Sequence, residues 1–139
     1  MNKSTNYSPL QETKATLTAY LLDTVTGKSG PVEVERSLNS YYEAMHCDLI
    51  TICYLPIDGK EYCVICDDEG LFKLHTRVSA VNLYNLDPMI VGSILICSAD
   101  DPDDTGDFVS LSADDIARIS RQVITASDAL GNYPVVLIG

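Results

Sequence analysis

The stretch DLITICYLPIDGKEYCVIC, residues 48–66, decides the fold of this chain. Its first part, residues 48–55, is almost continuously apolar, which is typical of a central strand covered on both faces. Residues 56–60 contain the Asp-Gly pair that favours a hairpin loop. Residues 61–66 then return as a second central strand, so the sequence predicts an antiparallel hairpin inside a sheet.

The residues before this hairpin predict two strands and a helix. Apolar and polar residues alternate over residues 15–22, which indicates a half-buried strand. Residues 31–35 return from a glycine-containing turn as a second, short strand. Ser37 is a suitable helix N-cap. The apolar positions after it are spaced by three and four residues, which predicts a short helix through Leu38, Tyr41, Tyr42 and Met45.

The residues after the hairpin are less regular. Neither period holds over residues 71–89, so we expect irregular structure there, with a short strand or a helical turn as the alternative. Further strands are predicted at residues 90–97, 108–111 and 133–138. Pro134 places the last of these at a sheet edge or leaves its first residue unpaired.

A second helix is predicted to begin after Ser112. Asp115 stands at the capping-box position, and Leu111 and Ile116 are placed to form a hydrophobic staple. The buried stripe of this helix is predicted to contain Ile116, Ile119, Val123 and Ile124, with Arg118 and Arg121 facing water.

The order of these elements predicts an α+β fold. Helices do not alternate regularly with strands, which disfavours a doubly wound parallel sheet. A mostly antiparallel, curled β-sheet with two helices fits better. The length of 139 residues suits one domain, which we place at residues 15–139 after a flexible, polar tail of residues 1–14.

Composition and charge exclude several classes of function. Acids outnumber bases 20 to 9, giving a formal net charge of −11, and the bases are scattered. Phosphate backbones and anionic membranes repel such a chain, so we expect no direct binding to nucleic acid or membrane. No apolar run is long enough to span a bilayer. Five cysteines without framework spacing indicate reduced thiols and a cytoplasmic location.

Cys63 and Cys66 form a CxxC spacing, with Cys47, Cys53, His46 and His75 nearby in sequence. Structural zinc needs such a pair on a tight knuckle, whereas these two residues lie in a predicted strand and point to opposite faces. A redox pair needs a helix N-terminus to lower the thiol pKa, and none is predicted to follow. We therefore interpret the cysteines as core residues and predict no metal and no cofactor.

The aspartate-rich loop at residues 100–107 invites comparison with a calcium loop. The segment DPDDTGDF, residues 101–108, matches the first eight positions, but Ser112 replaces the bidentate glutamate of position 12 and no helix enters the loop. The alternatives are a weak cation site and a solvated hairpin loop that keeps the chain soluble.

No catalytic residues are predicted. His46 and His75 have no nucleophile beside them in a local motif, and Gly27 and Gly30 are isolated turn glycines that form no phosphate loop. Tyr41 and Tyr42 offer a binding surface or, as helical spacing more often indicates, packing plus one exposed neighbour. An enzyme is therefore disfavoured.

Four segments in order carry a resemblance to a known family: PVEVERSLNSYYEAM, YCVICDDEGLFKL, MIVGSILIC and DFVSLSADDIARI. With them, residues 15–123 resemble the uncharacterised bacterial and phage domain filed as domain of unknown function family 3846. The link HTRVSAVNLYNLD is longer than the resemblance implies, and residues 125–139 look like a C-terminal extension. The resemblance implies an accessory protein of phages or mobile elements and carries over no catalytic residue.

Three functions remain open at this point. The leading hypothesis is an accessory or regulatory protein that binds another protein and does not catalyse a reaction. A small-ligand binding domain, with a pocket between the sheet and the Ser37 helix, is the first alternative. The second is an acidic anti-defence protein that mimics DNA, which requires carboxylates spread along one face.

Overall fold

The computed structural model describes residues 16–73, 76–101, 104 and 106–139. The predicted tail at 1–14, His75, and residues 102, 103 and 105 of the acidic loop lie outside the described residues. The helices are α1 (Leu38–Met45) and α2 (Ala113–Ser120), with a 3-10 turn at Gly70–Phe72. The strands are β1 (Thr16–Leu22), β2 (Ser29–Glu35), β3 (Ile50–Ile57), β4 (Lys60–Asp67), β5 (Val78–Asn82), β6 (Pro88–Val91), β7 (Ile94–Ser98), β8 (Val123–Asp128) and β9 (Gly131–Ile138).

The strands form two sheets in place of the single curled sheet predicted from the sequence. The first sheet has the order β2-β1-β7-β4-β3, and the second has the order β6-β5-β9-β8. All pairings are antiparallel except that of β5 with β9. The α+β class and the mostly antiparallel pairing are therefore confirmed, whereas the curl is not found.

The central hairpin is confirmed, but only one of its strands is central. Asp58 and Gly59 both have positive φ angles, of 52° and 77°, as a two-residue hairpin turn requires. β4 lies between β7 and β3 and is buried along most of its length. β3 is the edge strand of the first sheet, so the prediction that both its faces are covered was wrong. Its apolar run reflects exposed residues as well as buried ones.

The predicted strand at residues 90–97 is two strands in different sheets. Gly92, with φ of 96°, separates β6 from β7 and turns the chain from the second sheet into the first. A side chain at Gly70 would clash with the carbonyl oxygen of Val91, so that glycine allows the 3-10 turn to approach this link closely. The region predicted as irregular, residues 71–89, contains all of this turn except Gly70, the whole of β5 and the start of β6.

The N-terminus of α2 is confirmed, but its end is not. The Ser112 hydroxyl accepts from the backbone N–H of Asp115, and the Asp115 carboxylate accepts from that of Ser112, which completes the capping box. Leu111 is buried, and Ile116 packs against the same cluster. The helix ends at Ser120.

Two further expectations around α2 were wrong. Val123 and Ile124 lie on β8, where pairing with β9 uses their β-branched side chains, and not on the helix. The predicted strand at residues 108–111 is reduced to one bridge between Val109 and Ser98. β9 lies between β5 and β8, so it is not an edge strand. Pro134 comes before the residues of β9 that pair with β5, and its missing N–H therefore removes no hydrogen bond to β5.

Two apolar clusters make the molecule a three-layer arrangement. One lies between the two sheets and contains residues such as Tyr62, Ile96 and Val136. The other lies between the first sheet and α1 and contains residues such as Leu17 and Met45. None of the helices in the described ranges has the length and apolar character needed to cross a bilayer.

Candidate functional site

A polar cleft lies where the ends of the first sheet meet the loops of the second. Its cavity of about 270 Å³ is walled by the β1–β2 turn, the C-terminal end of α1, the end of β4, the segment before β5, the β6–β7 link and the β8–β9 turn. Its charged lining residues are His46, Asp67, Lys73 and Arg77. We call it the ion-pair cleft, because each of its cations or potential cations contacts an aspartate.

The Lys73–Asp67 pair forms the floor of the ion-pair cleft. The Lys73 ammonium lies 2.6 Å from the Asp67 carboxylate, whose side chain is only 3% exposed. The other carboxylate oxygen accepts from the backbone N–H of Glu69, and Lys73 also donates to the carbonyl of His46. The carboxylate raises the pKa of Lys73 through this hydrogen bond, against the opposing effect of burial. The pair thus keeps a charged ammonium at the cavity.

His46 ends α1 in the left-handed conformation, with φ of 56°. This places its imidazole Nε2 3.0 Å from the Asp23 carboxylate of the β1–β2 turn. Burial favours the protonated form of Asp23, but hydrogen bonds from Thr26 and His46 outweigh it and lower the pKa of this carboxyl. The turn therefore holds a carboxylate that orients the imidazole.

Arg77 is fixed on three sides. Its guanidinium donates two hydrogen bonds to the Asp128 carboxylate and a third to the carbonyl of Thr24, 2.7 Å away. Its central carbon lies 4.9 Å from the centre of the Tyr133 ring, a cation–π distance. Such a guanidinium keeps its orientation before any ligand arrives.

A second feature is an exposed apolar surface beside the edge strand β3. We call it the β3 groove and define it by Leu38, Tyr41, Ile52, Tyr54 and Phe108. It comprises two adjoining depressions of about 420 and 110 Å³, both of which Ile52 and Phe108 line. The Tyr41 and Phe108 rings meet edge to face at 5.5 Å and form its wall. Ile52 and Tyr54 remain 45% and 58% exposed.

The backbone of β3 is also open on its outer side. In a two-residue hairpin the pair next to the turn is hydrogen-bonded, so alternate residues of β3 direct N–H and C=O towards β4. Ile52 and Tyr54 therefore direct both groups outward, and Pro56, which has no N–H, directs its carbonyl outward. The Pro56 carbonyl accepts a hydrogen bond from the backbone N–H of Gly139.

The CxxC cysteines lie on opposite faces of β4, as the strand spacing predicts. Cys63 packs in the cluster under α1 and faces Cys97 across the strand pair, whereas Cys66 packs between the sheets. The Cys66 sulfur is 3.5 Å from that of the half-buried Cys53. Burial raises the pKa of the Cys66 thiol. The described residues contain no cluster of three or more His, Cys, Asp or Glu side chains arranged to hold a metal.

The described part of the acidic loop is organised by its own hydrogen bonds. The Asp101 carboxylate accepts from the N–H of Gly106, and the Asp101 carbonyl accepts from the N–H of Asp104. Asp104 and Gly106 have positive φ angles, of 50° and 78°. Ser112, at position 12 of the calcium comparison, is the N-cap of α2.

The sequence did not predict the ion-pair cleft. Its residues come from six separate segments, so no local pattern in the sequence brings them together. Buried apolar side chains such as Leu17 and Met45 fill the space between the sheet and the Ser37 helix, where a pocket was predicted. The cleft lies instead at the C-terminal end of that helix, where His46 lines it. Of the helix tyrosines, Tyr41 is buried and Tyr42 half-buried, which agrees with packing.

The comparisons with known proteins identify a family and nothing more specific. The search of the curated proteins and the search of the solved structures found no match. The family model of a domain of unknown function, DUF3846, matches residues 17–124, which is most of the chain and includes α1, α2 and all of the first sheet except Thr16. The segments quoted for the resemblance all lie within this match. The chain therefore belongs to the DUF3846 family.

Proposed function

We propose that this domain is a non-enzymatic accessory protein that binds another protein through the β3 groove. An extended segment of the partner adds to the outer edge of β3, and its apolar side chains enter the two depressions. The observation that carries this proposal is that Ile52 and Tyr54 expose their side chains and also direct their backbone N–H and C=O groups away from β4. Strand addition uses these two components together.

The charge of the chain favours a basic partner segment. The formal net charge is −11, and Asp101 and Asp107 border the depressions. Arg36 also lines the larger depression, where its guanidinium donates to the carbonyls of Thr16 and Phe108. A lysine or arginine beside each apolar anchor of the partner is therefore attracted to the rim of the groove. A second copy of this chain is disfavoured as the occupant, because two such acidic surfaces repel each other.

The rim of β3 also limits what can bind. The backbone N–H of Gly139 donates a hydrogen bond to the carbonyl of Pro56, so Gly139 closes one end of the outer edge of β3. The partner strand then pairs with the portion around Ile52 and Tyr54, which is short. Short edges are one way in which proteins prevent unwanted strand pairing.

Site-specific photo-crosslinking tests this proposal. A photoreactive phenylalanine analogue at position 54 is compared with the same group at Tyr84, which is 84% exposed and lies on the β5–β6 turn. We expect a discrete crosslinked partner only from position 54, and its loss when Ile52→Lys is added. Equal crosslinking from both positions, or a β3-linked dimer of this chain in light scattering, would contradict the proposal.

The origin in a phage or mobile element and the cytoplasmic location remain part of this proposal. The five cysteines are free thiols, and the opposed pair Cys63 and Cys97 supports a reducing compartment. The DNA-mimic alternative receives less support. Three aspartates, Asp23, Asp67 and Asp115, are buried among hydrogen-bond donors and are not part of an acidic surface.

A further inference from the structure

Basic groups converge on the ion-pair cleft although the chain as a whole is strongly acidic. His46, Lys73 and Arg77 all line the cavity, with Asp67 as the one carboxylate among the described lining residues, whereas Asp23 and Asp128, the carboxylate partners of His46 and Arg77, do not line it. We propose that this cleft binds a small oxyanion ligand, a molecule that carries a carboxylate or phosphate group, on Lys73 and Arg77.

The two cations keep donors for such a ligand. Among the described residues, Lys73 directs one N–H to Asp67 and one to the carbonyl of His46, so one of its three ammonium donors remains. Arg77 uses three donors on Asp128 and Thr24, so two of the five guanidinium donors remain. The oxygens of one carboxylate or phosphate group can accept from both side chains together.

The aspartates act here as supports. Asp67 is buried and divides its oxygens between Lys73 and the N–H of Glu69. Asp128 holds the guanidinium from outside the cavity through two parallel hydrogen bonds. Because these cations are ordered in advance, a ligand loses less free energy in ordering them.

The remaining walls suit a small molecule with an apolar part. Thr24, Thr76 and Ser93 add hydroxyl groups, while Val25 and Leu130 form an apolar mouth. Gly92, whose φ of 96° favours glycine, brings backbone to the cavity wall beside the Asp67 carboxylate and the Thr76 methyl group. A cavity of about 270 Å³ lies just below the usual range for drug-sized ligands, so we expect a ligand smaller than these.

Amide NMR at constant ionic strength tests this proposal with inorganic phosphate, citrate and chloride as probes. We expect saturable shifts at the amides of Thr24, Thr76 and Gly92 with phosphate or citrate, and none with chloride. The probe that saturates identifies the recognised group. If neither phosphate nor citrate produces saturable shifts at these amides, or chloride produces the same ones, the proposal is wrong.

A charge placed at the mouth provides the matched comparison. Leu130 is 78% exposed, so Leu130→Asp leaves the fold intact and should weaken binding about three-fold or more. Leu86→Asp adds the same charge at a 60% exposed position on the β5–β6 turn, beyond the end of β5 that is far from Arg77, and should leave the affinity unchanged. Equal affinities in these two variants would also overturn the proposal. The β3 groove plays no part in this test, so its outcome is independent of the proposed protein binding.

Discussion

Two buried aspartates of this domain hold a lysine in the same way, yet their surroundings differ. The Lys60–Asp115 pair at the start of α2 has a separation of 2.7 Å, and the Lys73–Asp67 pair in the ion-pair cleft has one of 2.6 Å. Both carboxylates are almost fully buried, and both lysines are about one-third exposed. The distance and burial within each pair therefore do not distinguish the two sites.

The groups around each pair do separate them. Asp115 also accepts from the Tyr62 hydroxyl and the N–H of Ser112, and Lys60 has a second acid, Asp100, at 3.8 Å. Its hydrogen bonds join α2 to β4, and Lys60 lies between Asp100 and Asp115 with Arg118 nearby. Lys73 instead lines a cavity together with His46 and Arg77. The comparison teaches that an adjacent cavity lined by further basic side chains distinguishes a candidate binding pair from a structural one.

The largest effect is expected from Asp115→Ala. This change removes the capping box and leaves the Tyr62 hydroxyl, on a fully buried side chain, without its acceptor. We expect the free energy of unfolding to fall by about 3 kcal/mol. Urea denaturation measures it. Asp114→Ala, on the exposed neighbour in the same turn, is the control and should cost less than about 0.5 kcal/mol. Similar losses in both variants would show that the capping network contributes little.

The next effect separates the two lysines directly. Lys73→Met leaves Asp67 with the N–H of Glu69 alone, whereas Lys60→Met leaves Asp115 with Tyr62 and Ser112. Since both lysines are partly exposed, we expect modest losses of about 2 kcal/mol for Lys73→Met and about 1 kcal/mol for Lys60→Met. Chemical denaturation at neutral pH gives both values. The reverse order would contradict the stated roles of the neighbouring donors.

Lowering the pH should destabilise the fold at the start of α2 by protonating one carboxyl group, that of Asp115. Burial favours its protonated form, but hydrogen bonds from Lys60, Ser112 and Tyr62 outweigh this and lower the pKa of Asp115 to about 2 from 3.8. Its stabilising contribution is therefore complete above about pH 4 and is lost as the pH falls towards 2, a change of about 2 kcal/mol. Unfolding of the wild type and Asp115→Asn across this range checks it. The variant should lose less stability on acidification, and parallel profiles would refute the assignment.

The sequence predicted most elements that local signals define. The Asp58-Gly59 turn, the Ser37 and Ser112 caps and the opposed faces of Cys63 and Cys66 follow from rules that act over a few residues. Where the structure differs, long-range pairing decided the outcome. The single residue Gly92 sends β6 and β7 to different sheets, and nothing in the apolar run around it marks this change.

The sites were harder to predict than the fold for the same reason. Lys73 and Arg77 lie in the stretch where no periodicity could be recognised, and their partners Asp67 and Asp128 are the last residues of two different strands, β4 and β8. Only the sheet arrangement brings these segments together. The exposure of Ile52 and Tyr54 could not be predicted, because a central strand covered on both faces and an edge strand used in binding have the same continuous apolar sequence.

The smallest effect is also the most specific. Phosphate at ten times its dissociation constant should stabilise the wild type by about 1.4 kcal/mol if the ion-pair cleft binds it. Lys73→Gln and Lys60→Gln change the net charge equally, so a general response to salt would be the same in both. We expect thermal unfolding in phosphate, relative to chloride of the same ionic strength, to show the stabilisation in Lys60→Gln and to lose most of it in Lys73→Gln. Equal loss in the two variants would mean that total charge governs the response. Loss in Lys73→Gln alone would show that an ion pair like that of Lys60 and Asp115 becomes a ligand site where bases surround an open cavity.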